Sequence, residues 1–268
     1  MKAYVITYLP DDPIVRKKRY QAHLLQVSWL RENNIDIIIS QRNYKPDEFI
    51  DGCEYYEQPE STGLLKPAVA RNQLLDIFYA SGDDWGLFLD DDSMLDPRGN
   101  NIIPNMAIVP DKVGVFSPLN PGTPGVGAWK DWFKTDEPED YWVFIGENLK
   151  GSMMFIRNIP EKLKFRENVL VGEDVMFGYD MLEMGYGSYW CKNIILKESN
   201  ASGPAAQTWN ETTFDRTEIN KMFQKIVCDE YNLIKNKQGL QKKLLWTRNN
   251  VRNQFRIAKK QNTSLFSF

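Results

Sequence analysis

Cysteine and histidine are scarce in this sequence. Its 268 residues include three cysteines and one histidine. Cys53, Cys191 and Cys228 lie far apart and in no CxxC spacing, so the sequence indicates neither a disulfide framework nor a zinc site. Because His23 is the single histidine, most hydrolases that depend on a histidine base are excluded.

A long apolar run is also missing from the start of the chain. The apolar stretch that begins at Ala3 stops at Pro10, which is too short for a signal peptide or a membrane span. We interpret it as a first strand and expect a cytoplasmic protein without a membrane span. The composition, with 42% hydrophobic and 13% aromatic residues, is sufficient for a substantial core.

Basic residues are concentrated towards the C-terminal end. Nine Lys or Arg and no acid lie between Lys235 and Lys260, although the formal net charge of the chain is −3. On a helix, Arg248, Arg252 and Arg256 would align on one face and an apolar stripe on another. Such a segment would bind phosphates or an anionic membrane, or would rest on the acidic remainder of the chain.

Strand and helix signals alternate along the first ninety residues. Strand patterns occupy 3–9, 35–39, 54–56 and 85–89, and helical periodicity occupies 14–32 and 65–79. Asp12 is placed to cap the first helix, with Pro13 at its first position. The apolar face predicted for that helix consists of Tyr20, Leu24, Val27 and Leu30. This order predicts an open α/β sheet that binds ligands at the carboxyl ends of its strands.

The middle of the chain differs from this regular pattern. Residues 117–142 are rich in Gly, Pro and Trp, which is typical of a lid or a binding loop. Strand signals return at 113–116, 152–156 and 188–196, and a helix is predicted over 174–184, where Gly185 ends it.

Three consecutive acids follow the apolar strand that ends at Leu89. Alternate residues of an extended chain point the same way, so Asp90 and Asp92 converge while Asp91 faces elsewhere. Hard carboxylate oxygens suit Mg²⁺ or Mn²⁺, which would bridge to a diphosphate. A solvated acidic turn is the alternative, but the apolar strand before the acids favours a site.

A second pair of acids, Glu173 and Asp174, follows Gly172 at the start of the last predicted helix. Taken alone, acids at this position are explained as a helix cap or as partners of the helix dipole. The presence of both acidic clusters in one α/β chain favours a shared functional site.

Five motifs occur in an order that resembles the family 2-like glycosyltransferases of the GT-A fold. They are Ala-Tyr-Val-Ile-Thr-Tyr at 3–8, Ala-Arg-Asn at 70–72, Leu-Phe-Leu-Asp-Asp-Asp at 87–92, Lys-Gly-Ser-Met-Met-Phe at 150–155 and Gly-Glu-Asp-Val-Met-Phe at 172–177. The resemblance spans residues 3–196 and implies a GT-A-type, mostly parallel sheet flanked by helices. It divides the chain into a catalytic domain at 1–200, with a nucleotide-binding half at 1–92 and an acceptor half at 93–200, and a C-terminal helical extension at 201–268.

The resemblance also implies roles for single residues. Asp90 and Asp92 would hold Mn²⁺ or Mg²⁺, and Asp174, assisted by Glu173, would take a proton from the acceptor. The other predicted contacts are Thr7, Tyr8, Arg71, Asn72, Asp90 and Asp91 to a nucleotide-sugar donor, and Gly151, Ser152, Trp129 and Trp132 to the acceptor.

Two features depart from the pattern of this family. The acid that often follows the second strand is absent, since Ser40, Gln41 and Arg42 stand there. The late histidine that many relatives supply to the metal is absent as well, and Glu198, Asn200 or water are the alternatives for that ligand.

The resemblance therefore implies transfer of a sugar, with inversion, from a nucleotide donor to an acceptor hydroxyl, and a UDP-sugar is the donor most commonly expected. We call residues 235–260 the basic tail and the predicted loop at 117–142 the aromatic loop. Together they favour hydroxymethylated cytosine in DNA as the acceptor. Basic residues bind the phosphates, and aromatic side chains receive a base that leaves the stack. The composition also resembles, more weakly, tailed-phage DNA glycosyltransferases, which act in the host cytoplasm. A polysaccharide or glycolipid acceptor is the alternative.

Three other classes share parts of this pattern. A sugar nucleotidyltransferase has a similar sheet and carboxylates, but a Gly-rich phosphate loop is missing after the first strand. A two-metal nuclease could use Asp90, Asp92 and Glu173 without a need for Arg71 and Asn72. A non-catalytic protein that binds nucleotide sugars or nucleic acid is the third.

Overall fold

The computed structural model describes residues 1–59, 67–96, 106, 109, 111–119, 142–144, 149, 151–167 and 172–198. The side chains of 142–144, 192, 193 and 198 are not among those described. Residues 120–141, which include Trp129 and Trp132, and the extension at 201–268 therefore lie outside the described residues.

The chain opens with a strand, a helix and a parallel strand. These are β1 (Ala3–Tyr8), α1 (Pro13–Glu32) and β2 (Ile37–Arg42). The side chain of Asp12 accepts hydrogen bonds from the backbone N–H groups of Ile14 and Val15, both at 2.9 Å, which confirms the predicted cap. The predicted βαβ opening is confirmed as well, because β1 pairs with β2 in parallel.

The next elements complete a parallel half-sheet. They are β3 (Glu54–Glu57), α2 (Pro67–Ser81) and β4 (Trp85–Asp90). The order β3-β2-β1-β4 is parallel throughout, and the register pairs Ile6 of β1 with Asp90 of β4. The carboxyl ends of β1 and β4 therefore lie side by side at one edge of the sheet.

The remaining described elements extend this sheet. They are β5 (Ser93–Leu95), β6 (Val113–Leu119), β7 (Trp142–Phe144), β8 (Met153–Arg157), α3 (Glu173–Glu183) and β9 (Gly187–Glu198). The order continues as β4-β8-β6-β9-β5, and β7 also pairs with β9. β8 is antiparallel to both β4 and β6, whereas β6 and β9 run in the direction of β4. The predicted α/β fold class, a mostly parallel sheet with flanking helices, is confirmed.

Helices cover both faces of the sheet. On one face Val27 and Leu30 of α1 pack with Val5 and Leu87. On the other face α2 and α3 pack through residues such as Phe78 on a cluster that includes Tyr4, Phe88, Phe177 and Met181. Each fully buried side chain of this size contributes about 1.5–3 kcal/mol, so these two clusters supply most of the driving force for folding.

Two strands escaped prediction. β5 and β7 have three residues each, which is too short for a recognisable alternation of apolar and polar residues. β5 exists because it pairs antiparallel with β9 immediately after the three acids, with Ser93 opposite Glu198.

The buried face of α1 differs from the predicted one. Val27 and Leu30 are buried as expected, but the side chain of Leu24 is 39% exposed. The polar residues Arg16, His23 and Gln26 are buried instead. They face the ends of the strands, where backbone carbonyls and carboxylates need hydrogen-bond donors.

Within the part of the chain that the structure describes, none of the helices combines the length and the apolar composition needed to cross a membrane.

Candidate active site

The candidate site lies where β4 ends beside the turn that precedes β8. The backbone N–H of Asp90 donates to the carbonyl of Ser152 at 3.0 Å. Gly151, in the same turn, is buried and donates its N–H to Asp174 Oδ2 at 2.7 Å. The sheet thus brings the two acidic clusters of the sequence to the same place.

The three consecutive acids point to different faces of the sheet. The side chain of Asp90 lies on the face of α2 and α3 and is 35% exposed. Asp91 lies on the face of α1 and is 1% exposed, whereas Asp92 is 7% exposed. The expected divergence of Asp91 from Asp90 follows from the alternation of side chains along the strand.

Arg71 of α2 connects the two clusters. Its Nη2 donates to Asp90 Oδ1 at 2.9 Å and to the carbonyl of Gly151 at 3.1 Å, and its Nη1 donates to Glu173. Burial opposes the charge of the guanidinium, but the carboxylates of Asp90, Glu173 and Asp174 outweigh burial and raise the pKa of Arg71. Arg71 is therefore a permanent buried cation between the strand end and α3.

Glu173 and Asp174 have different environments at the start of α3. Glu173 is buried, and burial raises its pKa to about 7; the nearby charge of Asp174 acts in the same direction, whereas Arg71 opposes it. Asp174 is partly exposed, and its Oδ1 accepts from the backbone N–H of Val175 at 2.8 Å. Glu173 is thus directed into the protein, and Asp174 is the acid that a ligand can reach.

Glycine is required at position 151 by close approach. A Cβ atom on Gly151 would lie 2.9 Å from Nη2 of Arg71, a nitrogen already held by Asp90. The backbone of Gly151 also gives its carbonyl to Arg71 and its N–H to Asp174. One glycine therefore sets the spacing between the guanidinium and the exposed carboxylate.

The charge balance around Arg71 fits a bound cation. Three carboxylates, those of Asp90, Glu173 and Asp174, interact with this one guanidinium. Asp90 and Asp92 offer hard oxygen ligands of the kind that Mn²⁺ and Mg²⁺ prefer. In the described ranges no group of three or more His, Cys, Asp or Glu could hold a metal. Water, a diphosphate or residues outside those ranges would have to complete its coordination.

Two predicted donor residues are engaged inside the protein. The amide of Asn72 donates to the carbonyl of Phe165 at 2.9 Å and accepts from its N–H at 2.8 Å. Thr7 is 2% exposed, and its hydroxyl donates to Asp91 Oδ2 at 2.8 Å. Tyr8 is half-buried at the end of β1. Contact of Asn72 or Thr7 with a nucleotide-sugar donor stays a prediction. Such contact requires the hydrogen bonds described above to break.

Comparison with known proteins gives only distant similarities. No protein-family model matches this sequence, and no curated protein matches it. A mannosyltransferase from Pyrobaculum calidifontis, in complex with GDP-mannose and Mn²⁺, is 12% identical with a TM-score of 0.46 over 97% of this chain and 74% of that one.

Two further solved structures are similar at the same level. A Drosophila β-1,4-galactosyltransferase 7 mutant, in complex with manganese, UDP-galactose and xylobiose, is 10% identical with a TM-score of 0.38 over 82% of this chain and 79% of that one. A Bacillus anthracis protein named for glucose-1-phosphate thymidylyltransferase activity, in complex with sucrose, is 13% identical with a TM-score of 0.44 over 80% and 96%. Likenesses of this size leave the family of the chain open.

The sequence did not predict the contribution of α1 to this region. Arg19, His23 and Gln26 recur at helical spacing and face the three acids from the other side of the sheet. The signal in the sequence was that these three residues share one face of the helix. A polar helical face ordinarily indicates exposure to solvent, so it did not indicate a buried contact.

Several predicted site residues lie outside the described residues. They are the acceptor contacts Trp129 and Trp132, the metal ligand Asn200 and the basic residues Arg248, Arg252 and Arg256. The side chain of Glu198 is also not described, but its backbone pairs with Ser93, the residue after Asp92.

Proposed function

We propose that this protein is a metal-dependent glycosyltransferase of the GT-A type that transfers a sugar from a nucleotide-sugar donor to an acceptor hydroxyl. The observation that carries the proposal is the junction of two acidic clusters through Arg71. Asp90 at a strand end and Asp174 at a helix start are both partly exposed, and both contact one unit formed by Arg71 and Gly151.

The two clusters have chemically distinct tasks in this proposal. Asp90 and Asp92 would hold Mn²⁺ or Mg²⁺, and the bound ion would supply positive charge to stabilise the departing diphosphate. Glu198 or Asn200 is the proposed protein ligand that completes the coordination, and the pairing of Ser93 with Glu198 supports the first of these.

Asp174 is the proposed general base. Its oxygens accept from the backbone N–H groups of Gly151 and Val175, which fix the orientation of the carboxylate. As the acceptor oxygen attacks the anomeric carbon, Asp174 takes the hydroxyl proton and the bond from that carbon to the diphosphate oxygen breaks. Attack from the face opposite the leaving group inverts the anomeric configuration.

The start of α1 argues against a sugar nucleotidyltransferase. Such an enzyme directs the N–H groups at a helix start towards phosphates. In this protein the side chain of Asp12 accepts from the N–H groups of Ile14 and Val15. An acid in that place occupies the donors and repels a phosphate.

For the donor we propose a UDP-sugar, and for the acceptor hydroxymethylated cytosine in DNA. Support for DNA comes from the sequence: nine basic residues without an acid between 235 and 260, and a segment at 117–142 with three tryptophans. A saccharide acceptor is the competing proposal, since tryptophan also stacks on sugar rings.

A donor and acceptor screen read by mass spectrometry tests the proposal. The protein is incubated with Mn²⁺, a panel of nucleotide sugars, and either hydroxymethylcytosine DNA or oligosaccharides. We expect one donor to add a single sugar mass to the DNA, with unmodified cytosine DNA as the unreactive control. Transfer only to oligosaccharides would overturn the DNA acceptor, and absence of both transfer and donor hydrolysis would overturn the glycosyltransferase.

A further inference from the structure

We infer that Arg19 and Gln26 of α1 are positioning residues that hold the acid turn, defined as Asp90 to Ser93, in the conformation that presents its metal-binding carboxylates. Within this turn, Arg19 binds the side chain of Asp91. The inference rests on the proposed function, since it assigns the support of the same metal site.

Asp91 is bound on both carboxylate oxygens from inside the protein. Arg19 Nη2 donates to Oδ1 at 2.7 Å, and the hydroxyl of Thr7 donates to Oδ2 at 2.8 Å. The Arg19 side chain is 13% exposed and that of Asp91 is 1% exposed. Burial opposes the charge of Arg19, but Asp91 outweighs burial and raises the pKa of Arg19. Both partners of this ion pair are therefore shielded from solvent.

Gln26 closes the acid turn at its two ends. Its Nε2 donates to the backbone carbonyl of Asp90 and to that of Ser93, both at 2.6 Å. His23, which is completely buried, lies between Arg19 and Gln26 and has its Nδ1 3.3 Å from Gln26 Oε1. This contact fixes the orientation of the Gln26 amide so that its NH₂ group faces the turn.

Gln26 holds the backbone of the acid turn, and Arg19 holds the side chain of Asp91. Gln26 contacts the carbonyl of Asp90, while the Asp90 side chain points to the opposite face and contacts Arg71. Side-chain alternation separates the two functions, because Asp91 faces α1 and Asp90 faces α2. A cation that binds Asp90 and Asp92 therefore meets carboxylates whose backbone is already fixed, which reduces the ordering that binding requires.

Gln73 provides a matched control for Gln26. It is also a helical glutamine with two hydrogen bonds to the sheet, from Nε2 to the carbonyl of Glu57 at 2.8 Å and to Oε1 from the hydroxyl of Ser40 at 2.6 Å. These contacts lie at β2 and β3, away from the acid turn. Gln73→Leu therefore removes a similar pair of bonds without a change in the support of the acids.

The experiment measures Mn²⁺ binding to the full chain by the electron paramagnetic resonance signal of free Mn²⁺, in the presence of UDP, together with thermal unfolding. We expect Gln26→Leu to weaken Mn²⁺ binding about tenfold, the effect of two lost hydrogen bonds of ordinary strength. Both Gln26→Leu and Gln73→Leu should lower Tm. Gln73→Leu should leave the Kd for Mn²⁺ unchanged. Arg19→Met should weaken binding and Arg19→Lys, which keeps the charge, should restore part of it.

Each failure has its own signature. If wild type does not bind Mn²⁺, the proposed metal-dependent function is wrong. If wild type binds Mn²⁺ and Gln26→Leu and Arg19→Met bind it equally well, the metal site stands and the positioning role is overturned. Should Gln26→Leu fail to fold, Asp91→Asn takes its place: it keeps the shape of the side chain, loses the ion pair, and is expected to weaken Mn²⁺ binding, with unchanged affinity overturning the inference.

Discussion

The buried guanidinium of Arg71 forms an ion pair with Asp90, with 2.9 Å between Nη2 and Oδ1, and also contacts Glu173. Asp90 ends a strand and Glu173 begins a helix, and the two residues are far apart in sequence. The pair therefore joins the carboxylate proposed to bind the metal to the helix that carries the proposed base.

Removal of the Arg71 cation should damage both stability and transfer. Arg71→Met leaves the carboxylates of Asp90 and Glu173 without their shared partner, so we expect a loss of about 3–5 kcal/mol in the free energy of unfolding and at least a hundredfold loss of transfer. Urea denaturation and initial rates measure the two effects. Lys164→Met is the control, since both side chains of its ion pair with Asp76 are exposed and the pair should contribute about 1 kcal/mol or less. Equal effects of both substitutions would contradict a central role for Arg71.

The raised pKa of Glu173 predicts a pH dependence of stability. The carboxyl of Glu173 binds its proton more tightly in the folded state than in the unfolded state, where its pKa has the ordinary value of 4.5. The stabilisation is therefore complete below about pH 4.5 and is lost as pH rises through about 7. Glu173→Gln stays neutral, so its stability relative to wild type should increase across that window by up to about 3 kcal/mol. A stability difference between the two proteins that is independent of pH would contradict the prediction.

The metal assignment predicts a large effect of a small change at Asp92. Asp92→Asn keeps the size of the side chain but removes a negative ligand, so we expect loss of Mn²⁺ binding and at least a hundredfold slower release of nucleoside diphosphate from a nucleotide sugar. Asp76→Asn, at an exposed ion pair with Lys164, should behave as wild type. Wild-type activity in Asp92→Asn would remove Asp92 from the metal site.

The base assignment predicts that donor binding and transfer can be separated. Asp174→Asn cannot accept the acceptor proton, so transfer should fall by about 10²–10⁴-fold while the Kd for the nucleotide-sugar donor, measured by calorimetry, stays unchanged. Asp174 also accepts two backbone N–H bonds, so a decrease of about 1 kcal/mol in stability is expected. Loss of donor binding would instead identify Asp174 as a donor ligand.

The DNA proposal predicts a salt-dependent role for the tail. Changing Arg248, Arg252 and Arg256 together to glutamine should weaken DNA binding and reduce the slope of log K against log salt by about 2 to 3. The control replaces the exposed Lys17 and Lys18 of α1 by glutamine and should leave this slope unchanged. An unchanged slope in the triple variant would favour a tail that packs on the protein and a saccharide acceptor.

Local features of the sequence determined much of the fold. The cap at Asp12 needs only the next three residues, and the end of α3 needs only Gly185, whose φ of 87° is costly for other residues. The apolar strand before Asp90 likewise indicates a buried element by composition alone. These predictions succeeded because the physical cause and the observed structure lie within a few residues of each other.

Only the tertiary structure decided how the acids are arranged. Arg71 meets Asp90 and Glu173 because α2 and α3 pack on the same face of the sheet, and a one-dimensional pattern contains no record of that packing. The buried polar face of α1 has the same origin, since Arg19 and Gln26 are buried by a turn more than sixty residues away. The sequence by itself thus determined that acids follow buried strands and begin a helix. Long-range packing determined that Asp91 and Glu173 are buried and that Asp90 and Asp174 are partly exposed. Burial and charge pairing depend on neighbours that only the folded chain brings together.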